Sequence, residues 1–170
     1  TDRPFQIVVY GTPAEETLGS KCDMIKKGCF HDLDVAFMMH GGPNTCTDVR
    51  CLAQRSFHVT FHGKRAHAAL APDKGRSAFD ALLAAFQGIE FLREHVPDDV
   101  RMHYTVAKLP GPANVVPAEA EGEFAIRSFS RKTLEGVCER FLDIIKGASL
   151  IAGVDYEIKE GTFFFNKIPV

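Results

Sequence analysis

The stretch Ser56-Phe57-His58-Val59-Thr60-Phe61 alternates polar and apolar side chains along the chain. Side chains of a strand point in turn to the two faces of a sheet, so this pattern predicts a strand with one buried and one exposed face. After it, apolar residues recur at helical spacing between Gly75 and His95, which predicts a long helix that ends before Pro97. A strand and a helix that each have one apolar face predict a two-layer domain.

The remainder of residues 51–160 continues in the same manner. Two further strands are predicted at Arg101 to Lys108 and at Glu119 to Phe129. A second amphipathic helix is predicted at Thr133 to Ile151, and a fourth strand at Val154 to Lys159. The order βαββαβ is that of a ferredoxin-like sandwich, in which two helices cover one face of an antiparallel sheet. The positions predicted to face the core are Ala78, Leu82, Ala85, Ile89 and Leu92 in the first helix and Val137, Phe141, Ile144, Ile145 and Leu150 in the second.

The chain before residue 51 has a different pattern. Ile7-Val8-Val9-Tyr10 is an apolar run that stops at a Gly-Thr-Pro turn, and Val35 to Met39 is a second run that stops at His40. Glu16 to Gly28, between the two runs, predicts a crossover helix with glycine as its stop signal. Strand, helix and strand in this order predict a right-handed parallel βαβ unit, with Glu16 and His40 at the same edge of its sheet.

Two adjacent glutamates, Glu15 and Glu16, follow the first apolar run. One carboxylate can bind a divalent metal while its neighbour takes a proton from a metal-bound water. Together with His40, these residue types suit zinc, or a similar ion such as manganese or nickel. Two alternatives remain open. Acidic residues also begin many helices, where they offset the macrodipole, and a histidine after a strand is often only a loop residue.

Four motifs in this order resemble the aminoacylase and carboxypeptidase family of metal-dependent amidohydrolases, and the likeness covers nearly the whole chain. The motifs are Gly11-Thr12-Pro13-Ala14-Glu15-Glu16, His40, Gly63-Lys64-Arg65-Ala66-His67-Ala68-Ala69 with Pro72, and Gly111 to Pro117 with Arg127. Tyr10 before the first motif, and His103, favour the branch of aminobenzoyl-glutamate hydrolases, indole-acetyl-amino-acid hydrolases and related dipeptidases.

The resemblance implies a role for each matching residue. Glu15 is similar to the general base, and Glu16 and His40 are similar to metal ligands. His67 matches a histidine that reaches from the lid of one subunit into the site of its partner, where it stabilises the oxyanion of the tetrahedral intermediate. The residues that would bind substrate are Asn114, Arg127 and His103.

These residue types suit the implied chemistry, but each has a structural alternative. An imidazole donor aimed at the carbonyl oxygen lowers the barrier to amide scission, and the planar fork of Arg127 suits a substrate carboxylate. Alternatively, His67 caps the helix that begins near Gly75, and Arg127 is only a surface strand residue. Asn114 is equally suited to a turn. For His103, which belongs to an alternating strand, packing is the stronger explanation.

The family also has metal ligands that match nothing in these 170 residues. The chain is therefore expected to be an incomplete part of a longer enzyme, with no turnover of its own. We expect residues 1–50 to be a fragment of the catalytic domain, 51–160 the lid and dimerisation domain, and 161–170 a return into the catalytic domain. The expected partners are a small amide or dipeptide substrate and a second copy of the chain. The alternative is a non-catalytic ferredoxin-like dimerisation or binding module, because this fold hosts many activities.

Composition excludes other classes of protein. Lysine and arginine number 20 against 22 acidic residues, giving a formal net charge of −2 without a basic stripe, so charge does not favour nucleic-acid binding. The apolar runs are shorter than the ~20 residues that span a bilayer. The five cysteines are an odd number without paired zinc spacing, which predicts reduced thiols and a cytoplasmic location.

Overall fold

A computed structural model describes residues 4–15, 19–45 and 51–164, with side chains up to residue 161 in the last range. The chain divides into two compact units, Thr1–Thr47 and Asp48–Val170. Glu16 lies outside the described residues. No helix in the described ranges is long and apolar enough to cross a membrane.

The first unit contains helix α1, Ser20–Lys26, which lies inside the predicted crossover helix. Gly28 follows it with a φ of 75°, a left-handed conformation that suits a helix stop signal. On either side of α1 the structure differs from the prediction, because neither apolar run forms a strand in the described residues. A strand needs a neighbour for its backbone hydrogen bonds, and these runs are instead exposed to solvent, Val9 by 90% and Met39 by 99%.

The second unit is built on a four-stranded antiparallel sheet. In chain order it contains β1 (Ala53–His62), β2 (Ala66–His67), a 3-10 turn (Pro72–Lys74), α2 (Ala78–Arg93), β3 (Arg101–Lys108), β4 (Val115–Val116), β5 (Glu119–Ser128), α3 (Arg131–Ala152) and β6 (Asp155–Phe164). The sheet has the order β3-β5-β1-β6, and β2 pairs with β4 apart from it. The predicted ferredoxin-like βαββαβ order is confirmed.

Helices α2 and α3 bury one face of this sheet. The rings of Phe57 and Phe124 pack against that of Phe141, with centroids 4.8 and 5.1 Å apart, and Cys138 is fully buried one turn before Phe141. All five positions predicted for the inner face of α2 are buried. In α3 the prediction for Leu150 is wrong, since this side chain is 72% exposed. At 3.6 residues per turn, Leu150 lies well away from the buried line that passes through Ile145.

Two carboxylates tie the helices to the sheet. Asp99, after α2, accepts hydrogen bonds of 2.7 Å from the Ser128 hydroxyl and from the N–H of Phe129, just before α3. Glu90 of α2 pairs with Arg93 at 2.7 Å and accepts a 2.9 Å bond from the Tyr104 hydroxyl on β3. The Arg93 guanidinium and then the Tyr104 hydroxyl lower the pKa of Glu90 to about 2. Edge strand β3 is thus linked to α2 by side chains as well as by packing.

Candidate functional site

A small lobe beside the main sheet carries His67 and Asn114. Strands β2 and β4, each two residues long, pair antiparallel. Next to this ladder the N–H of Ala68 donates to the carbonyl oxygen of Asn114 at 3.0 Å. The structure therefore brings together two predicted site residues that are far apart in sequence. We call this the His67 lobe, which comprises residues 63–76 and 112–118.

The turn after His67 determines how its exposed ring can act. Nδ1 accepts hydrogen bonds from the N–H groups of Ala69 at 3.2 Å and Leu70 at 3.3 Å. An acceptor nitrogen carries no proton, so in the neutral ring the proton is on Nε2, which is a donor. His67 is not the cap of α2, because the Ser77 hydroxyl accepts from the N–H of Asp80 at 3.2 Å. The ring is thus oriented by its own turn.

Backbone hydrogen bonds join the segments of the His67 lobe at its base, next to the main sheet. Lys64 and Arg76 exchange two bonds of 2.8 and 2.9 Å, and the N–H of Gly63 donates to the carbonyl oxygen of Ala118 at 2.8 Å. A Cβ at Gly63 would overlap the carbonyl oxygen of Arg76, so the two segments approach more closely there than a side chain allows. The lobe therefore joins the sheet at the start of β5.

Asn114 lies in a turn, as its structural alternative anticipated. The N–H of Val115 donates to the carbonyl oxygen of Pro112 at 3.1 Å, and the Asn114 side chain is exposed. The turn also aims the Asn114 carbonyl oxygen at the segment that carries His67. A substrate-binding role for the Asn114 side chain stays a prediction.

Arg127 and His103 are on the face of the sheet that no helix covers. In the register Arg127 lies opposite Arg101 on β3, and His103 lies opposite Ala125 on β5, so the two side chains are diagonal neighbours on adjacent strands. Both are exposed, so packing does not account for His103. The same face has an open cavity of about 500 Å³, whose lining includes Ser56, His58, His103, Thr105, Glu123 and Gly161.

The His67 lobe and Arg127 are at opposite ends of β5. Arg127 comes eight residues after Glu119, the first residue of this strand. With a rise of ~3.3 Å per residue, that is about 26 Å. A molecule the size of a dipeptide cannot contact His67 and Arg127 of one copy together. The predicted substrate-binding residues are thus divided into two groups.

Glu15 is occupied by local contacts at the start of α1. Its carboxylate accepts from the N–H of Lys21 at 2.8 Å and the Ser20 hydroxyl at 3.1 Å, and it pairs with the Lys21 ammonium at 3.2 Å. The backbone N–H of Lys21 is the largest cause of its lowered pKa. These contacts agree with the helix-start alternative, in which a carboxylate satisfies a free N–H of the first turn. The general-base role stays a prediction.

The described residues do not assemble a metal centre. His40 is exposed, with Nδ1 2.8 Å from the carbonyl oxygen of Gly41. A backbone carbonyl at Nδ1 is common for a metal-binding histidine, but a site needs further ligands. No group of three histidine, cysteine, aspartate or glutamate side chains in the described ranges could hold an ion. These residues alone do not fit the predicted zinc, manganese or nickel site.

Sequence reasoning missed a contact between a histidine and a carboxylate on the uncovered face of the sheet. His58 Nε2 lies 3.0 Å from a carboxylate oxygen of Glu121. The alternation of β1 was enough to place His58 on the polar face, but its partner follows only from the pairing of β1 with β5. The hydrogen bonds from the N–H groups of Ala69 and Leu70 to His67 could not be predicted either, because backbone donors do not depend on the type of residue.

Residues 54–150 match the family model described as the peptidase dimerisation domain. This chain belongs to the peptidase dimerisation domain family. The match begins in β1 and ends in α3, so the dimerisation domain is the sheet-and-helix unit described above.

Relatives of this dimerisation domain chain have hydrolase names. Xaa-Arg dipeptidase of Homo sapiens is 32% identical over 167 residues, which are 98% of this chain and 38% of the dipeptidase. A p-aminobenzoyl-glutamate hydrolase polypeptide of Escherichia coli is 35% identical over 156 residues, 88% of this chain and 32% of that polypeptide. They confirm the resemblance to the amidohydrolase family. The chain spans less than two-fifths of the length of these two relatives.

Solved structures share the fold of the dimerisation domain. The aminobenzoyl-glutamate utilization protein from Klebsiella pneumoniae has a TM-score of 0.60 at 25% identity, over 70% of this chain and 30% of that protein. An amidase of the hydantoinase/carbamoylase family from Burkholderia multivorans has a TM-score of 0.58 at 18% identity, over 69% of this chain and 29% of the amidase. The second likeness concerns the fold alone.

Proposed function

We propose that this chain is part of an enzyme that hydrolyses an amide bond next to a free carboxylate, in a peptide, an N-acyl amino acid or an aminobenzoyl amino acid. The names of the dipeptidase and p-aminobenzoyl-glutamate hydrolase relatives support this substrate class. The structural observation that carries the proposal is the turn at His67, which leaves Nε2 as the donor of an exposed imidazole.

His67 donates to the substrate carbonyl oxygen. Scission of an amide places negative charge on this oxygen, and a fixed donor stabilises the charged transition state more than it stabilises the uncharged ground state. Asn114 is joined to the same lobe by the bond from Ala68, and its side chain binds the same part of the substrate. Because the ring is held by its turn, little reorganisation is needed when the charge develops.

Arg127 binds the substrate carboxylate. Its guanidinium has the planar fork that pairs with a carboxylate through two hydrogen bonds, and His103 is its diagonal neighbour on the same exposed face. Because Arg127 and the His67 lobe of one copy are about 26 Å apart along β5, they act on two different substrate molecules when the chain is a dimer. Each site is then shared, with Arg127 from one copy and the His67 lobe from its partner.

Glu15, Glu16 and His40 complete the proposal for the longer enzyme. Glu15 is proposed as the proton acceptor, and Glu16 and His40 as ligands of a divalent metal, with zinc favoured over manganese and nickel by the ligand types. These roles rest on the motif resemblance. A cytoplasmic location is proposed from the cysteines, of which Cys22, Cys29, Cys51 and Cys138 are free thiols.

Complementation between two inactive variants tests the shared site. His67→Ala and Arg127→Ala are made separately in the full-length protein, then mixed under conditions that exchange subunits. Each variant alone should lose on the order of a hundred-fold in kcat/KM with aminobenzoyl-glutamate or a dipeptide as substrate. In a mixed dimer one site has both residues, so mixing should restore about one quarter of wild-type activity.

Two other results would decide against this arrangement. A mixture without recovery, in which subunit exchange has been verified, contradicts the sharing of sites. Full activity of His67→Ala contradicts the oxyanion role, whereas a wild-type full-length protein without hydrolytic activity favours the second candidate, a non-catalytic dimerisation module. The observation that favours that module is the βαββαβ order itself, because this fold hosts many unrelated activities.

A further inference from the structure

Gly75 is a buried glycine whose backbone does not require glycine. It follows the 3-10 turn with φ −91° and ψ 167°, an extended conformation that any residue adopts. Glycine at this position is therefore explained by a lack of room for a side chain, and not by a need for an unusual backbone conformation. What occupies the space above it shows what a larger residue would displace.

A side chain at Gly75 would press on both strands of the His67 lobe. A Cβ built there lies 2.9 Å from Cγ1 of Val116 on β4 and 3.0 Å from Cβ of Ala66 on β2. Carbon atoms pack best at about 3.5–4.0 Å, so the ladder would have to move outwards. Ala66 immediately precedes His67, and Val116 follows Asn114 by two residues.

We infer that Gly75 is a positioning residue, which sets where the His67 lobe presents the His67 ring and Asn114. Without a Cβ, the end of the 3-10 turn closes beneath the β2–β4 ladder, and the bond from Ala68 to Asn114 joins the two presenting segments above it. Because the three atoms nearest to the added Cβ all belong to the ladder, a larger residue presses first on the His67 lobe. The catalytic consequence of this inference rests on the proposed function.

The first test observes the His67 ring and needs no activity. Gly75→Ala is compared with Gly136→Ala, a matched control in α3 where a Cβ would meet no atom within 4 Å. In wild type, nitrogen NMR of the labelled chain should show His67 with a bare Nδ1 and a protonated Nε2. Gly75→Ala should shift the His67 nitrogen signals towards a tautomer average, because the turn from Ala69 to Leu70 is displaced, while Gly136→Ala leaves them unchanged.

The second test measures turnover of the full-length protein. Gly75→Ala should lower kcat by roughly ten- to a hundred-fold with a smaller change in KM, since a donor misplaced by about 1 Å loses transition-state contacts first. Adding Val116→Ala removes the methyl group nearest the new Cβ, so the double variant should recover part of kcat and of the His67 signals. Val116→Ala alone serves as the reference.

The outcomes separate this inference from the proposed function. Unchanged His67 signals in Gly75→Ala overturn the inference whatever the kinetics show. Shifted signals with unchanged turnover support the positioning role and contradict the catalytic role of His67. A Gly75→Ala chain that fails to fold, and that Val116→Ala does not restore, also overturns the inference, because the glycine would then serve folding of the whole domain.

Discussion

At the residue scale, the sequence motif singled out His67 but did not reveal which of its nitrogens acts. The histidine and asparagine segments were predicted from residue types in order along the chain. The proton on Nε2 follows instead from the N–H groups of Ala69 and Leu70, which every residue except proline has. The sequence did not reveal the role of Gly75 either, because a glycine that is needed for lack of space cannot be distinguished by sequence from one that is needed in a turn.

Asp99 illustrates how one carboxylate makes the stability of the domain depend on pH. The Ser128 hydroxyl, and then the N–H of Phe129, hold the pKa of Asp99 below its usual value. The bonds favour the ionised form, so their stabilisation is present above the unfolded pKa of about 3.9 and is lost as the pH falls through the lower folded pKa.

Asp99→Asn should therefore lower the urea midpoint at pH 7, because an amide oxygen is a weaker acceptor than a carboxylate. The difference from wild type should narrow as the pH falls below about 3.9. Asp98→Asn removes the same charge from the neighbouring position and serves as the control. A constant difference between wild type and Asp99→Asn at every pH would contradict the assigned hydrogen bonds.

At the element scale, the helices were predicted well because their periodic apolar faces report directly on burial. Every inward position predicted for α2 is buried, and β3 has the predicted bounds. The apolar runs at 7–10 and 35–39 have equally clear strand composition, but a strand also requires a partner that composition does not specify. The sheet order and the place of the His67 lobe likewise depend on pairing between distant segments.

The contact between α2 and α3 depends on another small residue. A Cβ at Gly88 of α2 would lie 2.6 Å from Cγ2 of Ile144 on α3. Gly88→Ala should thus destabilise the domain by about 1–3 kcal/mol through overpacking, despite the better helix propensity of alanine. Gly136→Ala, with open space around its Cβ, should instead be neutral or stabilising by up to about 1 kcal/mol. Urea unfolding of both variants checks this, and equal effects would contradict the packing argument.

At the scale of the whole molecule, the family match and the separation of His67 from Arg127 both bear on assembly. We expect the 170-residue chain to dimerise through residues between about 52 and 160, with an interface of the usual size of roughly 1,600 Å². Sedimentation velocity and light scattering over a range of concentrations measure this. A monomer at high concentration would count against it, whereas His67→Ala should leave the dimer intact because the ring is exposed.

Cys138 has a fully buried thiol, so its rate of chemical modification can report on opening of the domain. Burial raises its pKa to about 11, so at neutral pH it is protonated as well as shielded. Cys29 and Cys51 are exposed, and an alkylating reagent reaches them without any unfolding. The rate at which Cys138 is alkylated in native buffer, without denaturant, then reports how often the helices and the sheet separate.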